Sequence, residues 1–111
     1  MHIILKPVGS SELDDIEITD SLFAVGRYEP PFSSYGRAKV AKLSKRHARI
    51  FEQDEQIYVA DLGSTNGTVL NGKPIVKDPA TARSGDEVSF GGLAYKIEFV
   101  GGRDQPDSVP A

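Results

Sequence analysis

The stretch LSKRHARIFEQDEQIYVADLGSTNGTVLNG, residues 43–72, predicts a β-fold made of short strands and tight turns. Three of its segments have the composition of strands, His47–Phe51, Ile57–Leu62 and Thr68–Leu70. Asn-Gly pairs follow at 66–67 and 71–72, and they are strong turn signals because both residues tolerate positive φ. No apolar period of 3.6 residues is sustained here, so a helix is not predicted.

The same pattern continues on both sides of this stretch. Proline or glycine recurs about every 8–12 residues, which is typical of an all-β domain. Five further segments are predicted as strands: Ile3–Leu5, Ile16–Ile18, Phe23–Val25, Glu87–Phe90 and Leu93–Val100. In the last one, apolar residues alternate with Lys96 and Glu98, which places one face in a core and the other in water. The chain is therefore predicted to be all-β, most simply a β-sandwich.

Length and composition indicate one small domain of an ordinary soluble protein. The chain has 111 residues, of which 39% are hydrophobic and 26% charged. We expect a domain over residues 1–101 and a flexible tail or the start of a linker over 102–111, where apolar periodicity ends. No segment resembles a signal peptide or a membrane span, so we expect an intracellular protein, cytoplasmic or, in a eukaryote, nuclear. We expect the isolated domain to be monomeric and to make no contact with membranes.

The charge balance excludes some function classes. The net charge of -3 argues against nucleic-acid binding, for which a basic domain is usual. The absence of cysteine excludes disulfides and thiolate metal sites. No cluster of metal ligands and no nucleotide-binding loop is present, so neither a metal nor a cofactor is predicted.

Charge is nevertheless concentrated in one segment. Seven of the thirteen lysines and arginines lie between Arg27 and Arg49, where Glu29 is the only acid. The segment therefore carries about six net positive charges, and the rest of the chain about nine negative ones. A phosphorylated side chain brings nearly two negative charges and three strong acceptor oxygens, and it is bound by cations, hydroxyls and backbone N–H groups of tight turns. A basic loop followed by a turn rich in Asn, Gly and Thr offers these groups.

Three motifs in order carry a resemblance to a known family. Gly26-Arg27, then Ser-Lys-Arg-His at 44–47, then Ser-Thr-Asn-Gly-Thr at 64–68 resemble the pattern of the forkhead-associated (FHA) domain, over about residues 1–100. The resemblance implies a sandwich of two mainly antiparallel sheets, with about eleven strands and ligand loops at one end. It also implies a non-catalytic module that binds phosphothreonine-containing proteins or peptides.

The resemblance implies residue roles as well. Arg27 and Ser44 would contact the phosphate, helped by Lys45. Thr65 would form a hydrogen bond near the phosphate, and Asn66 would bind the peptide backbone.

Other matching positions would support or tune the site. Gly26, His47 and Gly67 would be structural, with His47 bracing the loop from inside. Lys42 would read a peptide residue that follows the phosphothreonine. In the long loop between Arg27 and Ser44, Tyr35 and Arg37 would either touch the ligand or belong to a mobile segment.

Two alternatives stay open at this point. The first is a module of the same fold that binds an unphosphorylated partner through the same loops or the sandwich face. The second is a hydrolase built on Ser44, but it needs an imidazole that faces the same cleft, and His47 is predicted to point into the protein. The sequence therefore predicts that the protein is not an enzyme.

Overall fold

Short antiparallel strands account for most of the regular structure. The computed structural model of the protein describes residues 1–9 and 13–101. These ranges contain no α-helix, one 3₁₀ helix at Phe32–Ser34, and ten strands. The strands are β1 (Ile3–Pro7), β2 (Ile16–Ile18), β3 (Leu22–Val25), β4 (Ala48–Gln53), β5 (Gln56–Asp61), β6 (Thr68–Leu70), β7 (Lys73–Pro74), β8 (Ala80–Ala82), β9 (Glu87–Phe90) and β10 (Leu93–Phe99).

The strands form two sheets. The larger sheet has the order β2-β1-β10-β9-β6-β7, and the smaller has the order β3-β4-β5-β8. All the strand pairs are antiparallel. The predicted all-β sandwich of antiparallel sheets is thus confirmed, with ten strands in the described ranges where about eleven were expected. The predicted tail at 102–111 lies outside the part of the chain that the structure describes.

The core lies between the two sheets and follows the alternation of the strands. Tyr95 and Ile97 of β10 are fully buried, whereas Lys96 between them is exposed. From the smaller sheet, Ile50 of β4 and Val59 of β5 are paired in register and are also fully buried. Burial of each such side chain contributes about 1.5–3 kcal/mol, so these pairs hold the sheets together.

The outer faces of the two sheets differ in character. On the larger sheet, Lys6 and Lys96 lie opposite each other and both are exposed. On the smaller sheet, a row across three strands is apolar: Leu22 is 53% exposed, and Phe51 stacks on Tyr58 with ring centroids 5.5 Å apart. No helix in the described ranges is long and apolar enough to cross a membrane.

The connections β3–β4, β5–β6 and β9–β10 meet at one end of the sandwich. The longest, residues 26–47, is anchored at several points. Phe32 of the 3₁₀ helix is fully buried with its ring centroid 6.2 Å from that of Phe23, and Val40 and Leu43 are also buried. The Tyr35 hydroxyl accepts a hydrogen bond from the backbone N–H of residue 14. The long loop is thus packed onto the sandwich and forms a defined surface.

Candidate functional site

His47 lies under the loop end and joins two loops. Its side chain is fully buried. The Ser44 backbone N–H donates to Nδ1 at 3.0 Å, and Nε2 lies 2.8 Å from the Gly67 carbonyl oxygen. Because a backbone N–H only donates and a carbonyl only accepts, the imidazole carries its proton on Nε2. Both ring nitrogens therefore bind backbone, and Ser44 receives no imidazole base for its hydroxyl.

Arg27 is fixed against the loop that contains Ser44. Its backbone N–H donates to the Ser44 carbonyl, and its side-chain Nε donates to the Leu43 carbonyl, both at 3.0 Å. The guanidinium carbon lies 5.7 Å from the centroid of the Tyr28 ring. The Nε bond uses one of the five guanidinium N–H groups, so the two terminal nitrogens retain four donors for a ligand.

Gly26 permits this close approach of the two loops. A Cβ added at Gly26 would lie 2.0 Å from the Lys45 carbonyl oxygen, well inside van der Waals contact. The conformation of Gly26 is not left-handed, so the requirement for glycine is one of space. In the Gly-Arg pair, the glycine leaves room for the neighbouring backbone, and the arginine that follows it forms hydrogen bonds with the same segment.

The basic loop and the uncharged turn are in direct contact. The Thr65 backbone N–H donates to Ser44 Oγ, and Asn66 Nδ2 donates to the Lys42 carbonyl, both at 3.0 Å. Since Ser44 Oγ accepts in this bond, its hydroxyl proton remains available to a ligand. The structure therefore brings Arg27, Ser44, Thr65 and Asn66 to one place, from two loops that are far apart in sequence.

Asp61 organises the turn, and sequence reasoning missed it. Its carboxylate accepts hydrogen bonds from the backbone N–H groups of Gly63 and Ser64 and from the hydroxyls of Ser64 and Thr68. Burial alone would raise the pKa of Asp61, but these hydrogen bonds together lower the pKa below its usual value. Ser64 Oγ in turn accepts from the Gly67 N–H at 3.0 Å. The sequence did contain a signal for this role. An Asp followed two and three residues later by Gly63 and Ser64 is typical of an Asx-turn, in which the carboxylate accepts from those backbone N–H groups.

Gly91 is a second residue that sequence reasoning missed. A Cβ there would lie 2.3 Å from the Lys42 carbonyl oxygen, and its φ of +54° is left-handed. Its N–H donates to the Gly67 carbonyl at 3.0 Å. The β9–β10 turn therefore contacts both the β3–β4 and the β5–β6 connection, and in the sequence the Gly91-Gly92 pair was the only hint of this.

The remaining predicted residues are placed at the rim. Lys42 and Lys45 have exposed side chains, and Thr65 and Asn66 are also exposed. The structure shows a backbone role for the Lys42 carbonyl and no bound partner for either lysine side chain among the described residues. Residues 1–9 and 13–101 contain no group of three or more His, Cys, Asp or Glu that could hold a metal ion.

The protein is therefore of the all-β class, a sandwich whose loops bring an arginine, a serine hydroxyl and an exposed asparagine together at one end. Comparison with known proteins identifies the family within this class. The profile of the FHA domain matches residues 24–91, and the chain belongs to this family. The resemblance seen in the sequence is thereby confirmed.

Relatives are found in distant organisms. The human protein "Angiogenic factor with G patch and FHA domains 1" is 42% identical over 72 residues, which are 59% of this chain and 10% of that protein. The "Glycogen accumulation regulator GarA" of Mycolicibacterium smegmatis is 36% identical over 66 residues, 60% of this chain and 39% of that protein. The chain thus spans less than half the length of either relative.

A solved structure shows the same fold. The N-terminal FHA domain of Saccharomyces cerevisiae Rad53p, in complex with a phosphothreonine peptide, superposes with a TM-score of 0.71. The match covers 90% of this chain and 94% of that one, at 21% identity. At this identity the likeness establishes the fold of this chain.

Proposed function

We propose that this chain is a non-catalytic module that recognises phosphothreonine peptides and mediates phosphorylation-dependent protein–protein interaction. The observation that carries the proposal is the contact between the two loops, where Ser44 accepts from the Thr65 N–H while Arg27 binds the backbone of residues 43 and 44. This arrangement holds a guanidinium and a hydroxyl together before any ligand arrives. Membership of a family that recognises phosphorylated motifs supports the same function.

The phosphate is the part of the ligand that these groups fit best. The terminal nitrogens of Arg27 and the hydroxyl proton of Ser44 are donors, and Lys45 adds a flexible ammonium beside them. Charge-assisted hydrogen bonds contribute about 1.5–3 kcal/mol each, roughly twice as much as neutral ones. A dianionic phosphate therefore gains more from this site than an unmodified hydroxyl does.

The peptide backbone is assigned to the uncharged turn. Asn66 uses Nδ2 to hold the Lys42 carbonyl, which leaves its amide oxygen to accept from a peptide N–H. Thr65 presents its exposed hydroxyl next to Ser44. Lys42 lies on the same rim, where its ammonium is suited to an acidic residue that follows the phosphothreonine. We propose that the protein performs this function inside the cell.

The test is a titration with matched peptides that carry threonine, phosphothreonine or phosphoserine. Only the phosphothreonine peptide is expected to bind well. Arg27→Ala and Ser44→Ala should each weaken its binding by about tenfold to a hundredfold, since about 1.4 kcal/mol is a factor of ten. Lys96→Ala, which removes an exposed charge from the outer face of the larger sheet, is the matched control. Equal affinity for the plain and phosphorylated peptides would refute the proposal.

A second candidate function is favoured by one observation. The apolar row of Leu22, Phe51 and Tyr58 on the smaller sheet is suited to an unphosphorylated partner. Under that alternative, partner binding would survive phosphatase treatment and the Arg27→Ala substitution, and it would be lost in Tyr58→Ser. Under the main proposal, phosphatase treatment abolishes binding, Arg27→Ala weakens it by about tenfold to a hundredfold, and Tyr58→Ser leaves it unchanged.

A further inference from the structure

A basic depression lies beside the proposed phosphate site. It is an open cavity of about 440 Å³ within the long loop, and its lining includes Arg27, Tyr28, Tyr35, Arg37 and Val40. We call it the Arg37 depression. Arg27 belongs to both surfaces, so the depression and the phosphate site are adjacent.

Two arginines, Arg27 and Arg37, are among the residues that line the depression, and no acid is among them. Arg37 is exposed at its wall, and an acid that lies nearby is Asp14, whose backbone N–H donates to the Tyr35 hydroxyl. The segment between Arg27 and Arg49 holds a single acid, Glu29. The Arg27 guanidinium lies over the Tyr28 ring and keeps its charge there, so two arginines without a lining acid suit the depression to an anion.

The walls of the depression are held in place without a ligand. Val40 is 4% exposed, and its carbonyl accepts a hydrogen bond from the Leu43 N–H at 3.0 Å. The Lys39 N–H donates to the Gly36 carbonyl, also at 3.0 Å. Tyr35 is tied to the β1–β2 connection through its hydroxyl. A ligand therefore meets a largely formed surface and does not have to order the whole loop.

We propose that the Arg37 depression binds a second anionic side chain of the same phosphopeptide, either a carboxylate or a second phosphate. This inference rests on the proposed function. An extended peptide advances about 3.3 Å per residue, and the two surfaces share one arginine, so the second anion belongs about two to four residues from the phosphothreonine. The long loop thus selects among phosphothreonine peptides by their acidic flank.

The experiment uses a set of phosphothreonine peptides with one glutamate moved through each position from four before to four after the phosphothreonine. A second set carries phosphoserine at the same positions. Fluorescence polarisation gives the dissociation constant of each peptide for the wild type, Arg37→Gln, Lys42→Gln and Lys96→Gln. Lys96→Gln is the control, because it removes one positive charge from the outer face of the larger sheet. Lys42→Gln tests the other cation at the rim of the proposed site.

One position of the anion, distinct from any position that Lys42 reads, should give binding about threefold to fivefold tighter than the rest, as expected for a partly exposed ion pair. Arg37→Gln should abolish that preference, whereas the other two variants should keep it. A gain with glutamate identifies a carboxylate ligand, and a gain confined to phosphoserine identifies a second phosphate.

The failures of the two proposals are distinguishable. If phosphothreonine is required but no position is preferred, or if Lys42→Gln alone removes the preference, the Arg37 depression is not a subsite. If unphosphorylated peptides bind equally well, the proposed function itself fails.

Discussion

Substitution of Gly26 by alanine is a sharp test of how the binding loops are held. The added Cβ would lie 2.0 Å from the Lys45 carbonyl oxygen and 3.1 Å from its carbon. Cβ contacts under 3.0 Å are essentially never seen, so the backbone at residue 26 and the Lys45 carbonyl must move apart by at least about 1 Å. Both atoms belong to the backbone, and no side-chain rotation can relieve the overlap.

The expected cost follows from that displacement. Overpacking of this kind costs about 1–3 kcal/mol. A shift of the same size would stretch the 3.0 Å bond between the Arg27 N–H and the Ser44 carbonyl beyond hydrogen-bond range, a loss of about 0.5–1.5 kcal/mol. The variant should be destabilised by about 2–4 kcal/mol, while a domain of this size has about 5–15 kcal/mol in all. It should therefore fold, but with Ser44 displaced from Arg27 and phosphopeptide affinity reduced tenfold or more.

The assay combines urea denaturation with a phosphothreonine-peptide titration. Gly36→Ala is the control, because Gly36 lies in the same loop, has no atom within 4 Å of an added Cβ and is not in a left-handed conformation. The control should change stability by no more than about 0.5 kcal/mol and leave binding unchanged. If Gly26→Ala behaves like Gly36→Ala in both measurements, the close approach does not hold the site together.

Three further predictions concern the buried contacts and the turn. His47→Asn keeps an acceptor near Nδ1 for Ser44, and His47→Gln keeps a donor near Nε2 for Gly67. Each should lower the free energy of unfolding by about 1–3 kcal/mol through the bond it loses, and wild-type urea midpoints for both would contradict the brace. Asp61→Asn should destabilise the domain by about 1–2 kcal/mol at neutral pH. Because the folded pKa of Asp61 is lowered, its stabilisation is complete above the unfolded pKa near 4 and is lost as pH falls through the folded value, so the gap between the two urea curves should close in acid. A gap that stays constant down to pH 2 would exclude this role for the carboxylate. Asn66→Ala should weaken phosphopeptide binding by about fivefold to fiftyfold with little change in stability, since the residue is exposed, and unchanged affinity would remove it from the site.

Most of the fold could be predicted because its strands alternate strongly. β2, β6 and β9 have the predicted bounds. In β10, Lys96 and Glu98 lie on the outer face of the sheet, as predicted. β7 and β8 were missed for physical reasons. β7 is only two exposed residues long and includes a proline, and Ala80–Ala82 lacks the bulky apolar residues that mark a strand. The structure also starts β4 at Ala48, one residue after the predicted start.

The site could be predicted only where side-chain identity carries the signal. Arg27 and Ser44 stand out as a cation and a hydroxyl in a basic loop. Their backbone partners do not, because every residue has a carbonyl. The amino-acid sequence does not indicate that the Leu43 carbonyl accepts a hydrogen bond from Arg27 Nε, or that the Lys42 carbonyl lies against Gly91. These contacts depend on how three separate connections meet in space.

Residues that hold the loops and residues that touch the ligand should differ in what their loss changes. His47 is buried, and Gly26 has no room for a side chain, so substitutions there alter the loops with or without a peptide. Arg27 offers four unused donors, and the Ser44 hydroxyl contacts an exposed N–H that water can satisfy, so their removal acts mainly on the complex. Across a set of variants, the first group should lose stability and affinity together, and the second should lose mainly affinity, with Arg27→Ala also losing the one bond from Nε to the Leu43 carbonyl. A single line relating stability to affinity for both groups would mean that binding reports only how well the domain is folded, and that neither Arg27 nor Ser44 contacts the phosphate.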